Sequence, residues 1–333
     1  MTPPPLPLHD MPPGVAMKTL LTALLFALAP AAGAQTYQPP QHTLPPPQLG
    51  TDPQVEADRG IDVERDRAPP WLLAEHRRLA TTLAALKPHR RGVVDAYVVV
   101  AALDSDPVFG REAREAAAVL SRRYGAEGRT LLLAGSDGRA DSPYPMGSPN
   151  SLAVALARVA EAMDPAEDVL VLYTTSHGAP FGIYYNDGDQ GYGAVSPTRL
   201  WQQLSALGIR NRLILVSACY SGVFVPMLSS DTTAIVTASA ADRSSFGCQA
   251  DNDWTFFGDA LVNNALRKPL PLATAAQEAR GLIATWEAKG KLKPSEPQVA
   301  IGAGAARWLA ALEAKLPPAS PPVGRPSIQS LGE

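Results

Sequence analysis

Two short apolar runs constrain this chain more than any other feature. Residues 212–218 read Arg-Leu-Ile-Leu-Val-Ser-Ala and lead into Cys219-Tyr220-Ser221-Gly222. Residues 168–175 read Asp-Val-Leu-Val-Leu-Tyr-Thr-Thr and lead into Ser176-His177-Gly178. Runs this short and apolar suit strands buried on both faces, as in a parallel sheet covered by helices. In such sheets ligands bind beyond the carboxyl ends of the strands. One run therefore carries a thiol to that end, and the other an imidazole.

The rest of the chain alternates in the same way. Strands are expected at 95–103, 130–134, 168–175, 212–218, 233–237 and 298–301. Helices are expected at 71–86, 111–124, 151–163, 196–207, 251–266, 273–289 and 305–315. Residues 181–192, with aromatics, glycines and Asn186-Asp187-Gly188, read as a hairpin excursion. This alternation predicts a three-layer α/β/α sandwich around a mainly parallel sheet. Only one helix separates the third and fourth strands, so these should be neighbours. Adjacent strands lie roughly 4.8 Å apart, which lets His177 and Cys219 face one another.

Composition narrows the classes. Hydrophobic residues make up 46% of the 333, enough for a sizeable core. A net charge of −3 gives no reason to expect a nucleic-acid partner. The prolines crowd the ends, at 3–13, 39–53 and 317–326. Residues 35–70 therefore read as a proline-rich linker, 71–315 as the folded domain, and 316–333 as a disordered tail. From Met17, Lys18, the apolar stretch 20–29 and Ala32-Gly33-Ala34 form a secretory signal pattern. Residues 1–34 are thus read as a signal peptide with an over-extended start, and the protein as exported, periplasmic or secreted. No later run approaches twenty apolar residues, so no stable membrane anchor is expected in the mature chain.

A cysteine hydrolase needs a thiolate, a proton-carrying base and donors for the developing oxyanion. Of the five histidines, His9 and His42 fall in the leader and linker, and His76 and His89 precede the sheet. His177 is then the base and Cys219 the nucleophile. The backbone N–H groups of Gly178 and Cys219 are the natural oxyanion donors. A helix expected after Ser221-Gly222 would point its amino end at Cys219 and lower its pKa. The bland readings are a buried cysteine acting as a small hydrophobe, a satisfied His-Gly turn, and a Cys219–Cys248 disulfide in an oxidising compartment. Both cysteines are expected to stay reduced. One histidine and two cysteines lack zinc spacing, so neither metal nor cofactor is called for.

The Ser176-His177-Gly178 and Ala218-Cys219-Tyr220-Ser221-Gly222 blocks, each after an apolar run, resemble the legumain-type cysteine peptidases of the caspase-like clan. The resemblance extends through 237–248 and 255–259. It implies a caspase/legumain-like fold, His177 as general base and acid, and Cys219 as nucleophile. It also implies a specificity pocket, onto which Arg111, Ser217, Ser245 and Asp259 map by motif position. Ser217 stands where legumain has an acidic residue. The asparagine with which legumain orients its histidine falls near Phe109, leaving His177 without that partner. The expected function is an exported cysteine endopeptidase cleaving a peptide or protein substrate through a thioester. The alternatives are a transpeptidase or transamidase with the same dyad, and a non-catalytic binding module on the same fold.

Overall fold

The two-residue period of the strands decides the layering. The computed structural model describes residues 50–135 and 142–332, which belong to one compact unit, Gln38–Glu333. The signal-peptide reading of 1–34 and the first part of the linker reading fall outside the described residues. The helices and strands in chain order are α1 Pro53–Arg59, β1 Val63–Glu64, α2 Pro69–Ala84, β2 Ala96–Ala102, α3 Pro107–Tyr124, β3 Thr130–Leu133 and α4 Pro149–Ala162. Then follow β4 Val169–Thr175, β5 Gly178–Ala179, β6 Gly182–Asp187, β7 Gly191–Val195, α5 Pro197–Ala206, β8 Arg212–Ser217 and α6 Phe224–Leu228. The chain continues with β9 Thr233–Thr237, a π-helix at Gly258–Ala265, α7 Leu272–Lys289, β10 Gln298–Ile301 and α8 Ala305–Glu313.

The main sheet runs β10-β9-β8-β4-β2-β3 and is parallel except for β10. Val98, Val100, Val171, Tyr173, Leu213 and Leu215 point to one face, under α3, α7, α8 and the π-helix. Tyr97, Val99, Leu170, Leu172, Ile214 and Val216 point to the other, under α4 and α5. Both sets are fully buried, each Val, Leu or Ile contributing about 1.5–3 kcal/mol. This is the α/β/α sandwich expected from the runs.

Helix starts follow local chemistry. The side chains of Ser148 and Ser196 cap α4 and α5, each with proline in the first turn. Asp106 occupies the same position before α3, yet makes no capping bond. The hairpin expected at 181–192 forms as β6 and β7.

Four expectations need correction. Residues 251–266 are not one helix: a loop closed by hydrogen bonds from Asn252 Nδ2 to Gly247 O (2.8 Å) and Phe256 N to Phe246 O (2.9 Å) precedes the π-helix. Residues 50–70 are not a free linker, because β1 pairs with β7 and Asp62 forms an ion pair with Arg199 at 2.7 Å. Residues 316–332 are not a loose tail, since Val323 and Ser327 are hydrogen-bonded to the domain. The element after Gly222 is a single 3-10 turn, Ser221–Val223, followed by the five-residue α6.

Candidate active site

Strand register assembles the site. Ala102 of β2 pairs with Thr175 of β4, and Thr175 pairs with Ser217 of β8. The carboxyl ends of three neighbouring strands are therefore level. Two residues beyond these ends stand Asp104, His177 and Cys219, and two further after β2 stands Asp106. His177 and Cys219 line one narrow cavity with Phe109, Ser217, Ser245, Cys248 and Thr255.

The turn after Cys219 is tight. Tyr220 has φ 57°, the left-handed region that non-glycine residues seldom adopt. Its N–H donates to Arg243 O at 2.8 Å, tying the turn to the loop before Ser245. Gly178 packs against the Cys219 carbonyl so closely that a Cβ would lie 2.1 Å from that oxygen. The two motifs can approach this closely only with glycine there.

Cys219 Sγ accepts from Ser245 N–H at 3.2 Å and lies 3.4 Å from Ser245 O. Burial pushes the thiol above its ordinary pKa, against the lowering effect of Ser245 N–H and His177. The helix expected beyond Gly222 to lower it has only five residues and starts at Phe224. Both cysteines are free.

The residue missed by sequence reasoning is Asp106. Its Oδ2 lies 3.1 Å from His177 Nε2. Burial works against the imidazolium, but the hydrogen bond to Asp106, a second one to Cys248 and the charge of Asp104 outweigh it. Together they raise His177 to about 10. The Phe109 ring meets the imidazole edge-on, 5.0 Å between centroids. The signal was present in the sequence as Asp104-Ser105-Asp106-Pro107. By sequence alone such a run has the chemistry of a helix start, and only the uncapped geometry shows where the Asp106 carboxylate goes. Asp104, Asp106 and His177 also bring one ligand atom each within 4.8 Å of one another, so they could hold a cation.

The pocket residues divide. Ser217 and Ser245 line the cavity, and Ser217 Oγ lies 3.1 Å from Thr255 Oγ1. Asp259 does not line it. It is buried, and its carboxylate accepts from Asn263 and Asn264 and from Ser327 N and Oγ. Arg111 does not line it either: its guanidinium donates to Ala250 O and Asn252 O and pairs with Asp253 at 3.3 Å. Glu112, its neighbour, is buried behind the site. It accepts from Tyr173 OH (2.6 Å), Thr175 Oγ1 (2.8 Å) and Thr255 N (2.8 Å), tying the end of β4 to the pocket wall.

No curated protein matches the chain. Residues 150–283 match the Peptidase C13 family. Among solved structures, the crystal structure of caspase-1 from Spodoptera frugiperda is similar at 14% identity and a TM-score of 0.42, over 65% of this chain and 88% of that one. No described helix is long and apolar enough to cross a membrane.

Proposed function

We propose that this chain, whose residues 150–283 match the Peptidase C13 family, is a cysteine-type endopeptidase in which hydrolysis runs through Cys219 and His177 with Asp106 as orienting partner. The observation that carries this reading is the register of β2, β4 and β8, which brings a carboxylate, an imidazole and a thiol to one rim.

At neutral pH the His177 imidazolium is held by Asp106. Cys219 attacks the scissile carbonyl as its thiolate, a form favoured by the adjacent positive charge. The N–H groups of Gly178 and Cys219 receive the oxyanion. His177 then protonates the departing amine, leaving a thioester on Cys219. The neutral imidazole takes a proton from water, whose oxygen adds to the thioester carbonyl; collapse breaks the C–S bond, releases the acid and returns Cys219 to the thiolate beside the imidazolium. Asp106 holds the ring at Nε2, in a cavity that His177 shares with Cys219. The leader pattern in residues 17–34 supports action outside the cytoplasm.

The test is labelling. A peptidyl thiol electrophile should modify Cys219 in the intact protein and fail in His177→Ala. Equal labelling of both proteins would sink the dyad.

A further inference from the structure

The loop that walls the cavity is held from two sides. Residues Ser245, Phe246, Cys248 and Thr255 line the cavity around Cys219 and His177, which has room for about one water. A peptide side chain needs more room than this, and the loop forms one wall of the cavity, so its position bears on what can enter. On one side Arg111 grips the loop through the Ala250 and Asn252 carbonyls and Asp253. On the other side lies the end of the chain, and its contacts are specific.

Val323 N–H donates to Asn263 Oδ1 at 2.9 Å, and Val323 O accepts from Asn263 Nδ2 and Trp254 Nε1, both at 3.0 Å. Arg325 N–H donates to Asp253 Oδ2 at 2.7 Å. Ser327 donates through N and Oγ to Asp259 Oδ2 at 2.7 and 2.8 Å. Asp259 is buried, and its other oxygen is held by Asn263 and Asn264. The anchor is therefore built into the π-helix, and the tail reaches from it across Trp254 and Asp253 to the loop. The Asp253 carboxylate is divided between Arg111 on one oxygen and the tail on the other.

We propose that residues 323–327 form a C-terminal clasp that sets the position of the 247–255 loop, with Asp259, Asn263 and Ser327 as positioning residues for substrate binding. This rests on the reading above that the loop walls the substrate cavity. The clasp touches none of the reacting atoms. Its loss should weaken substrate binding and leave the chemistry of Cys219 intact.

The test uses full-length variants. Ser327→Ala removes one anchor bond, Ser327→Thr keeps the hydroxyl, and Arg325→Pro removes the N–H that reaches Asp253 without touching the buried anchor. The readouts are KM and kcat on a peptide substrate, alkylation of Cys219 by iodoacetamide, and hydrogen exchange across 247–255. Expected for Ser327→Ala and Arg325→Pro are a KM raised about fivefold, the effect of one lost hydrogen bond, with kcat nearly unchanged. Exchange in 247–255 should quicken, alkylation should be no slower than in the parent, and Ser327→Thr should restore KM. If 323–327 exchanges freely in either variant while KM and loop exchange stay as in the parent, the clasp has no positioning role. Should the parent itself cleave no peptide, the catalytic reading fails, and loop exchange alone then judges the clasp.

Discussion

The Asp106 carboxylate lies 3.1 Å from Nε2 of His177, and the two come from the ends of neighbouring parallel strands. Asp106 stands at the start of α3 but gives its side chain to the imidazole instead of the helix. A helix N-terminus left uncapped costs about 1 kcal/mol. Here that stability is exchanged for a histidine held charged and in one orientation.

That exchange predicts a displaced pH profile. With His177 raised to about 10, the imidazolium persists well above neutrality, so the alkaline limb of kcat/KM should lie near that value. Asp106→Asn should bring the limb toward lower pH and lower kcat roughly 10- to 100-fold, within the usual reach of acid–base assistance. The same raised pKa has a stability sign. Its contribution is full below the ordinary histidine pKa and fades as pH rises through about 10. Urea titrations at several pH values should show that slope in the parent and a flatter one in Asp106→Asn.

Cys219→Ala should lose all turnover while keeping its far-ultraviolet dichroism. The parent should titrate two thiols after unfolding without reductant, and the variant one. A parent with no free thiol would instead place Cys219 and Cys248 in a disulfide.

Glu112→Ala should unfold at distinctly lower denaturant. It strands the Tyr173 and Thr175 hydroxyls and the Thr255 N–H in the interior. The loss should be on the order of 3–5 kcal/mol, read as a shift in urea midpoint. Glu112→Gln keeps one acceptor oxygen and should lose less.

Gly178→Ala should separate catalysis from folding. The added methyl would sit 2.1 Å from the Cys219 carbonyl, which is backbone and must move. We expect kcat/KM to fall by more than tenfold with a melting temperature only a few degrees lower, as the strand end shifts away from Cys219. Unchanged kinetics would show that the two motifs tolerate separation.

The layering and the adjacency of the strands that lead to His177 and Cys219 were legible before folding. Buried strands must be apolar on both faces, and a single intervening helix makes two strands neighbours. These are local rules, and residues 168–178 and 212–222 obey them. The loop at 247–255, the Asp106 partner and the placement of Asp259 followed no such rule. Asp106 has the sequence context of a helix cap, and Asp259 maps to a pocket by motif position. Each carboxylate had several donors within its reach along the chain, and local sequence does not rank them. The ranking came from segments distant in sequence, β4 for Asp106 and Ser327 for Asp259, whose arrival depends on the packing of the whole sheet. A run of apolar residues specifies its own burial, whereas a charged side chain is assigned by whichever partner the fold delivers.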